Sequence, residues 1–323
     1  MKFRLQMPGM SLYPGGRRHW FEDLTPADMV RIARTADELG FDSLHIPEHV
    51  LMHVDDVDVM GPRWVHVTTA MSYFAAATTR IGIAGLIVVP YHNPIELAKA
   101  LATLDFLSGG RVIVLAAVGY MRWEFEVLGA PPFAERGKVM DEYLASMIEL
   151  WTEDRPVHHG TYVDFEDVVF EPKPVRRPHP LLWVAGNSRA AARRAARLAD
   201  GWSPNAIPRA RLSERLDDLR RQPGFLERDR PFDVFLNLFE REVNLDTHEV
   251  LRPPEVVIER DAILEQIHDL AALGVTMTDA DSVISGGTGS RASALAKPVR
   301  SVEDLVERLH WFAEEIMPEG RAL

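Results

Sequence analysis

The chain has 323 residues, 46% hydrophobic and 26% charged, enough to bury one large core or two ordinary ones. A net charge of -12 argues against nucleic acid or an anionic membrane surface as the main partner. The absence of cysteine removes disulfides, thiolate catalysis and cysteine-ligated metal together.

In chain order, short apolar runs alternate with helical patterns. Phe3 to Pro8 reads as a first strand, and Pro26 to Leu39 as a helix with Thr25 as N-cap and Gly40 as C-cap. Phe41 to Val50 is the second strand, followed by a helix from about Arg63 to Ala77. Arg80 to Pro90 and the helix Pro94 to Leu107 form the third unit, and Arg111 to Tyr120 with a helix from about Ala134 to Trp151 the fourth. After an excursion over 152–180 come strands at Leu181, at Trp202 and from Phe232 to Asn237, each leading into a helical segment. The last unit is Gly274 to Val283 with the helix Val302 to Ile316. Eight such units with strands buried on both sides predict an α/β fold, a (β/α)8 TIM barrel with insertions at its C-terminal face. No linker composition divides the chain, so residues 1–323 form a single domain. The start MKFRLQMPGM has no apolar leader core, and no run of about 18 apolar residues follows, so a cytoplasmic protein without a membrane span is expected.

In such a barrel the chemistry belongs at the carboxyl ends of the strands. One of these ends is distinctive: Leu181 to Pro204 reads as a buried strand, a Gly186-Asn187-Ser188 turn, an Ala/Arg helix and a further short strand. Asn187 or Ser188 can cap the helix, and the unpaired amides beside Gly186 have the geometry of a phosphate seat. Arg189, Arg193 and Arg197 make a stripe on that helix; Arg189 sits in its first turn, near enough to help hold an anion, while the other two read as a solvated face. The segment 279–300 contains SGGTGSRAS, a composition that suits a mobile lid or a disordered insertion. The excursion 152–180 contains GTYVDFEDVVFEPKP, which alternates like a hairpin and is expected to pack beside the barrel mouth.

Other chemistries lack their motifs. His158 and His159 are adjacent and project in different directions, and no metal site is expected. GxGxxG and a Walker loop are both absent. Trp64, Tyr73, Phe74, Trp123 and Phe125 either fill the core or line the mouth.

Four separated segments, TADELGFDSLHIPEHV, NPIELAKALATLDFLSGGRV, EFEVLGAPPFAERGKVMDEYL and WVAGNSRAAARRAARLADGW, resemble the bacterial luciferase-like monooxygenase superfamily, and within it the oxidoreductases that use the deazaflavin F420. The resemblance covers about half the chain, from Arg31 to Pro204. It implies a flavin-like cofactor across the C-terminal face of a TIM barrel. Carried onto this sequence, His49 lies by the reactive edge of the ring, with Glu48 as its acidic neighbour, and an imidazole there suits proton transfer near neutral pH. His53 is a second candidate.

The same resemblance places a bulge with a non-prolyl cis peptide at Gly85-Leu86, against the back of the ring. It matches Gly186, Asn187 and Ser188 to the phosphate loop, with Gly119 and Tyr120 completing the wall. Leu115 replaces a usual small residue and narrows the space, and Arg17 and Arg18 can contact an acidic cofactor tail.

The resulting reading is hydride transfer between F420 and an apolar organic substrate, by a homodimer. Alternatives are a monooxygenase using reduced FMN and a barrel that binds flavin without turnover. The loop Ser203 to Ala206 brings no Lys or Arg before Arg209, which disfavours a sugar phosphate as substrate.

Overall fold

The computed structural model describes residues 1–12, 19–204, 207–239, 242–243, 250–252, 259–284 and 299–323. Eight parallel strands form its central sheet: β1 (Lys2–Gln6), β2 (Ser43–Ile46), β3 (Gly82–Val88), β4 (Val112–Ala117), β5 (Leu181–Ala185), β6 (Gly201–Ser203), β7 (Asp233–Val234) and β8 (Met277–Asp279). They are ordered β8-β1-β2-β3-β4-β5-β6-β7, and a parallel bridge between Phe235 and Met277 joins the two ends. The expected eight-stranded barrel is therefore present, with short seventh and eighth strands.

The helices are α1 (Pro26–Leu39), α2 (Val67–Ala77), α3 (Pro94–Ser108), α4 (Arg122–Leu128), α5 (Arg136–Thr152), α6 (Arg189–Leu198), α7 (Arg209–Arg220), α8 (Arg260–Ala272) and α9 (Val302–Glu315). Their starts follow local chemistry. Thr25 and Asp28 form a reciprocal capping box, Asn93 accepts from two amides of the first turn of α3, and Ser188 and Ser301 cap α6 and α9. The helix expected from Arg63 begins at Val67, because Trp64 instead pairs with Ser11 in a short bridge. Helix α4 carries too little periodicity over its 7 residues to stand out in the sequence.

Alternation along the strands separates two apolar sets. Ile83, Ile87, Val112, Val114, Leu182 and Val184 join the large core beneath the helices. Ala84, Ile113, Leu115, Trp183, Phe235 and Met277 form a second cluster that fills the barrel, with Leu86 and Ala185 against it. Polar groups share that interior: Arg4 lies 3.5 Å over the Phe235 ring and 3.2 Å from His45 Nδ1. Burial, then the Arg4 charge, pushes the His45 imidazole well below its ordinary pKa, so it stays neutral.

The excursion over 152–180 leaves the C-terminal end of α5, at the amino-terminal side of the barrel, and enters β5. From there it runs back along α5: Lys173 donates to Leu150 O at 2.8 Å, Glu142 accepts from the amides of Thr161, Tyr162 and Val163, and Tyr162 donates to Glu135 at 3.0 Å. The hairpin His158–His159 with Asp164–Phe165 is real, but it dresses a helix flank. Most of the other expected insertion, 279–300, lies outside the described residues, as do Arg17 and Arg18.

Candidate functional site

At the carboxyl end of β2 the chain leaves the strand through Pro47, Glu48 and His49, and the last two side chains take separate sets of partners. His49 is 5% exposed, and both ring nitrogens are engaged: Nδ1 stands 2.9 Å from Glu124 Oε2 and Nε2 2.7 Å from the Tyr120 hydroxyl. The edge of Trp64 closes a further side, at 4.5 Å between ring centroids. An ionised carboxylate only accepts, so Nδ1–H donates to Glu124, which leaves Nε2 to exchange a hydrogen bond with the Tyr120 hydroxyl.

Glu124 arrives from α4 and is fully buried. Besides His49 it accepts from the Tyr91 hydroxyl at 2.9 Å and from the amides of Val50 and Leu51 at 2.7 and 3.3 Å. Burial works to raise its pKa, but the His49 hydrogen bond and charge and the two amides outweigh it, and the carboxyl is held below its ordinary range. Burial first and the Glu124 charge second push the Tyr91 phenol far above its usual value, so Tyr91 remains a proton donor.

Glu48 turns away from this group. Its carboxylate accepts from the Val88 amide at 2.6 Å and meets His92 Nε2 at 2.9 Å, tying the loop after β2 to the end of β3. The sequence placed Glu48 beside His49 correctly along the chain, but Glu124, 75 residues on, is the carboxylate that touches the imidazole. Glu124 opens the EFEVLG segment that carries the family resemblance, but no role was read onto it, and Tyr91 and His92 carried no motif. His53 lies at the surface, and its imidazole ring stands edge-on to Trp123 at 5.6 Å.

Tyr120 is positioned by Gly119, whose φ is 77° and where a β-carbon would come within 2.7 Å of Val88 and 2.8 Å of Phe125. Only glycine fits both demands. At Gly85 the β3–β4 register runs unbroken from Ile83 to Val88, and the cis peptide bonds among the described residues are Glu171-Pro172 and Arg177-Pro178. The expected bulge and non-prolyl cis bond are therefore absent. A β-carbon on Gly85 would strike Met71 and Val67 of α2, so this glycine lets that helix approach while Leu86 faces the barrel interior.

In the strand-turn-helix unit, Gly186 has φ 124° and Ser188 caps α6 through the Ala191 amide at 3.1 Å. The Gly186 amide donates to Ser203 O at 3.1 Å and its carbonyl accepts from Trp202 Nε1 at 2.9 Å. Asn187 lies between them in the turn. The amides of Arg189 and Ala190 have no hydrogen-bond partner among the described residues. The Arg189 side chain leaves the turn and pairs with Glu214 at 3.0 Å and Asp218 at 3.5 Å on α7. The buried arginine of α6 is Arg194, bidentate on Asp141 of α5. Leu115 lies within the barrel as expected, Trp64 and Trp123 at the mouth, Phe74 and Phe125 in the core, and Tyr73 at the surface.

Among the described residues no group of three or more His, Asp or Glu side chains could hold a metal ion, and no helix is long and apolar enough to cross a membrane.

The chain matches the model of the luciferase-like monooxygenase family over residues 7–239, well over half its length, and it belongs to that family. It is 30% identical over 59% of its length to an FMNH(2)-dependent dimethylsulfone monooxygenase of Pseudomonas putida, covering 52% of that protein. An F420-dependent glucose-6-phosphate dehydrogenase of Amycolatopsis mediterranei is 31% identical over 56% of this chain and 54% of its own. The chain thus spans about half the length of these two curated relatives. A monooxygenase from Streptomyces bottropensis superposes over 98% of this chain and 99% of its own with a TM-score of 0.72 at 22% identity. The F420-dependent tetrahydromethanopterin reductase of Methanopyrus kandleri gives 0.67 at 15% identity, covering 98% of both chains. At these identities the likeness establishes the luciferase-like TIM-barrel fold.

Proposed function

We propose that this luciferase-like oxidoreductase exchanges a hydride between F420 and an apolar organic substrate at the barrel mouth. The observation that carries the reading is His49, with a buried carboxylate on one nitrogen and a phenol on the other. Hydride transfer to or from an organic molecule is balanced by a proton, and this trio can take or return one. The residues fit a ring with polar edges. Asn237, just beyond β7, is buried with Oδ1 unpartnered, as is Trp183 Nε1 in the barrel, leaving an acceptor and a donor for complementary groups.

The ring would rest over Leu86 and Leu115, with Gly119 and Tyr120 as wall. Gly186, Asn187, Ser188 and the open amides of Arg189 and Ala190 would hold its phosphate. Gly85 serves this site by letting β3 pack against α2. Bound there, F420 supplies a two-electron hydride donor or acceptor. Glu124 fixes the His49 tautomer, Trp64 excludes water from one side, and Glu48 with His92 braces the loop that carries His49. A homodimer in the cytoplasm belongs to the same reading, by analogy with the superfamily.

A second reading, oxygen activation by reduced FMN, is favoured by the dimethylsulfone monooxygenase of Pseudomonas fluorescens, 27% identical over 83% of this chain. Titration of the purified protein with F420 and with FMN, with oxygen uptake recorded, separates the two. Tighter F420 binding and substrate-dependent turnover without oxygen uptake is the expected result. Tighter FMN binding with oxygen uptake overturns it, and binding without turnover across a broad panel of alcohols, ketones and alkenes favours a non-catalytic barrel.

A further inference from the structure

We propose that the Tyr120 hydroxyl, and not the His49 imidazole, exchanges the proton with the reacting molecule, with His49 and Glu124 as the relay behind it. The inference rests on the hydride-transfer reading above, and the oxidation of an alcohol serves to show how it balances. Exposure falls steeply along the relay: Tyr120 is 40% exposed, His49 5% and Glu124 0%. His49 Nε2 is engaged by the phenol oxygen at 2.7 Å, and Nδ1 is committed to Glu124 at 2.9 Å. A substrate at the mouth therefore meets oxygen before it meets nitrogen.

The surroundings keep it so. Gly119 sets the backbone of Tyr120, Trp64 covers the imidazole edge-on, and the phenol ring itself stands at 76° to the imidazole plane with centroids 5.4 Å apart. Among the described residues the titratable groups facing His49 are Glu124 from α4 and Tyr120 from the turn after β4. Tyr91 reaches it through Glu124, whereas Glu48 and His92 satisfy one another.

For an alcohol, the carbon–hydrogen bond breaks and its electron pair leaves as hydride to an acceptor of the deazaflavin class. The oxygen–hydrogen bond breaks and the carbonyl forms. That proton passes to the Tyr120 oxygen while the phenol proton moves to His49 Nε2. The resulting imidazolium keeps its Nδ1 proton on the Glu124 carboxylate, and carbonyl reduction runs the same path backwards.

Two measurements test the relay, the first on the protein alone. NMR exchange of the His49 Nδ1 proton with solvent should slow at least about tenfold in Tyr120→Phe, since the phenyl ring still covers the imidazole but passes no proton. In turnover with F420, the same variant should lose about a hundredfold in kcat, with cofactor affinity within about threefold and the solvent deuterium isotope effect reduced. Replacing Tyr120 with 3-fluorotyrosine keeps the hydrogen bond and acidifies the phenol, so the basic limb of the pH–rate profile should move to lower pH. An unchanged exchange rate, an unchanged kcat or an unmoved profile overturns the relay. Absence of F420 turnover in the unaltered protein sinks the hydride-transfer reading instead, and the exchange measurement still decides whether Tyr120 is the proton path.

Discussion

The two ends of the barrel both use buried carboxylates, and they use them differently. At the amino-terminal end, Asp37 accepts from the amides of Thr79, Arg80 and Ile81, and Asp105 from those of Val112 and Arg176. Backbone amides do not titrate, so these acids pin strand entries in place and move no protons. At the carboxyl end Glu124 also takes two amides, but its other partners are an imidazole and a phenol, groups whose protons can move. The same side-chain type is a fastener at one end and part of a proton path at the other, because its partners differ.

The largest effect expected from breaking this contrast is at His49. His49→Ala should lower turnover by about a hundredfold or more while cofactor affinity stays nearly intact, as read by steady-state kinetics beside a binding titration. Undiminished turnover would remove the imidazole from the chemistry. Glu124→Gln should cost about thirtyfold in kcat, because the imidazole loses the charge that stabilises its protonated form.

At the other end, Asp37→Ala should cost about 2 kcal/mol of stability by leaving buried amides unsatisfied, with turnover per folded molecule unchanged. Burial raises the Asp37 pKa, but the amides of Thr79, Ile81 and Arg80 and the Thr79 hydroxyl outweigh it, and the net shift is downward. A depressed folded pKa means this stabilisation is present above the ordinary aspartate pKa and vanishes as pH falls through the lower folded value. Denaturant titrations across the acid range should therefore show the variant and the parent converging at the lowest pH. The smallest effect belongs to Arg189→Ala, which breaks exposed ion pairs to α7 and should change stability by under about 1 kcal/mol and leave cofactor binding untouched. A large loss of binding would return Arg189 to the phosphate seat.

Much of this contrast was legible in the chain, though unevenly. The helices with strong caps, such as Pro26–Leu39 behind Thr25, stand almost where the pattern puts them, since a cap is decided within four residues. The last strands were harder, because Asp233–Val234 and Met277–Asp279 are too short to show a period of their own. At the site, the turn at Gly186 was visible from local spacing and His49 from the family resemblance, whereas the bulge expected at Gly85 was not formed, because the β4 strand pairs with β3 in unbroken register through it.

Sequence by itself determined the eightfold rhythm, the caps, the glycines that let backbones approach, and the presence of an imidazole after the second strand, all properties of a few neighbouring residues. Tertiary structure decided which carboxylate holds that imidazole, that Tyr120 stands in front of it, that Arg189 turns to a neighbouring helix, and that the 152–180 hairpin packs back along α5 toward its amino terminus. These outcomes depend on where distant strands and helices come to rest, and the direction of a side chain across such a gap is set by packing, which no local pattern records.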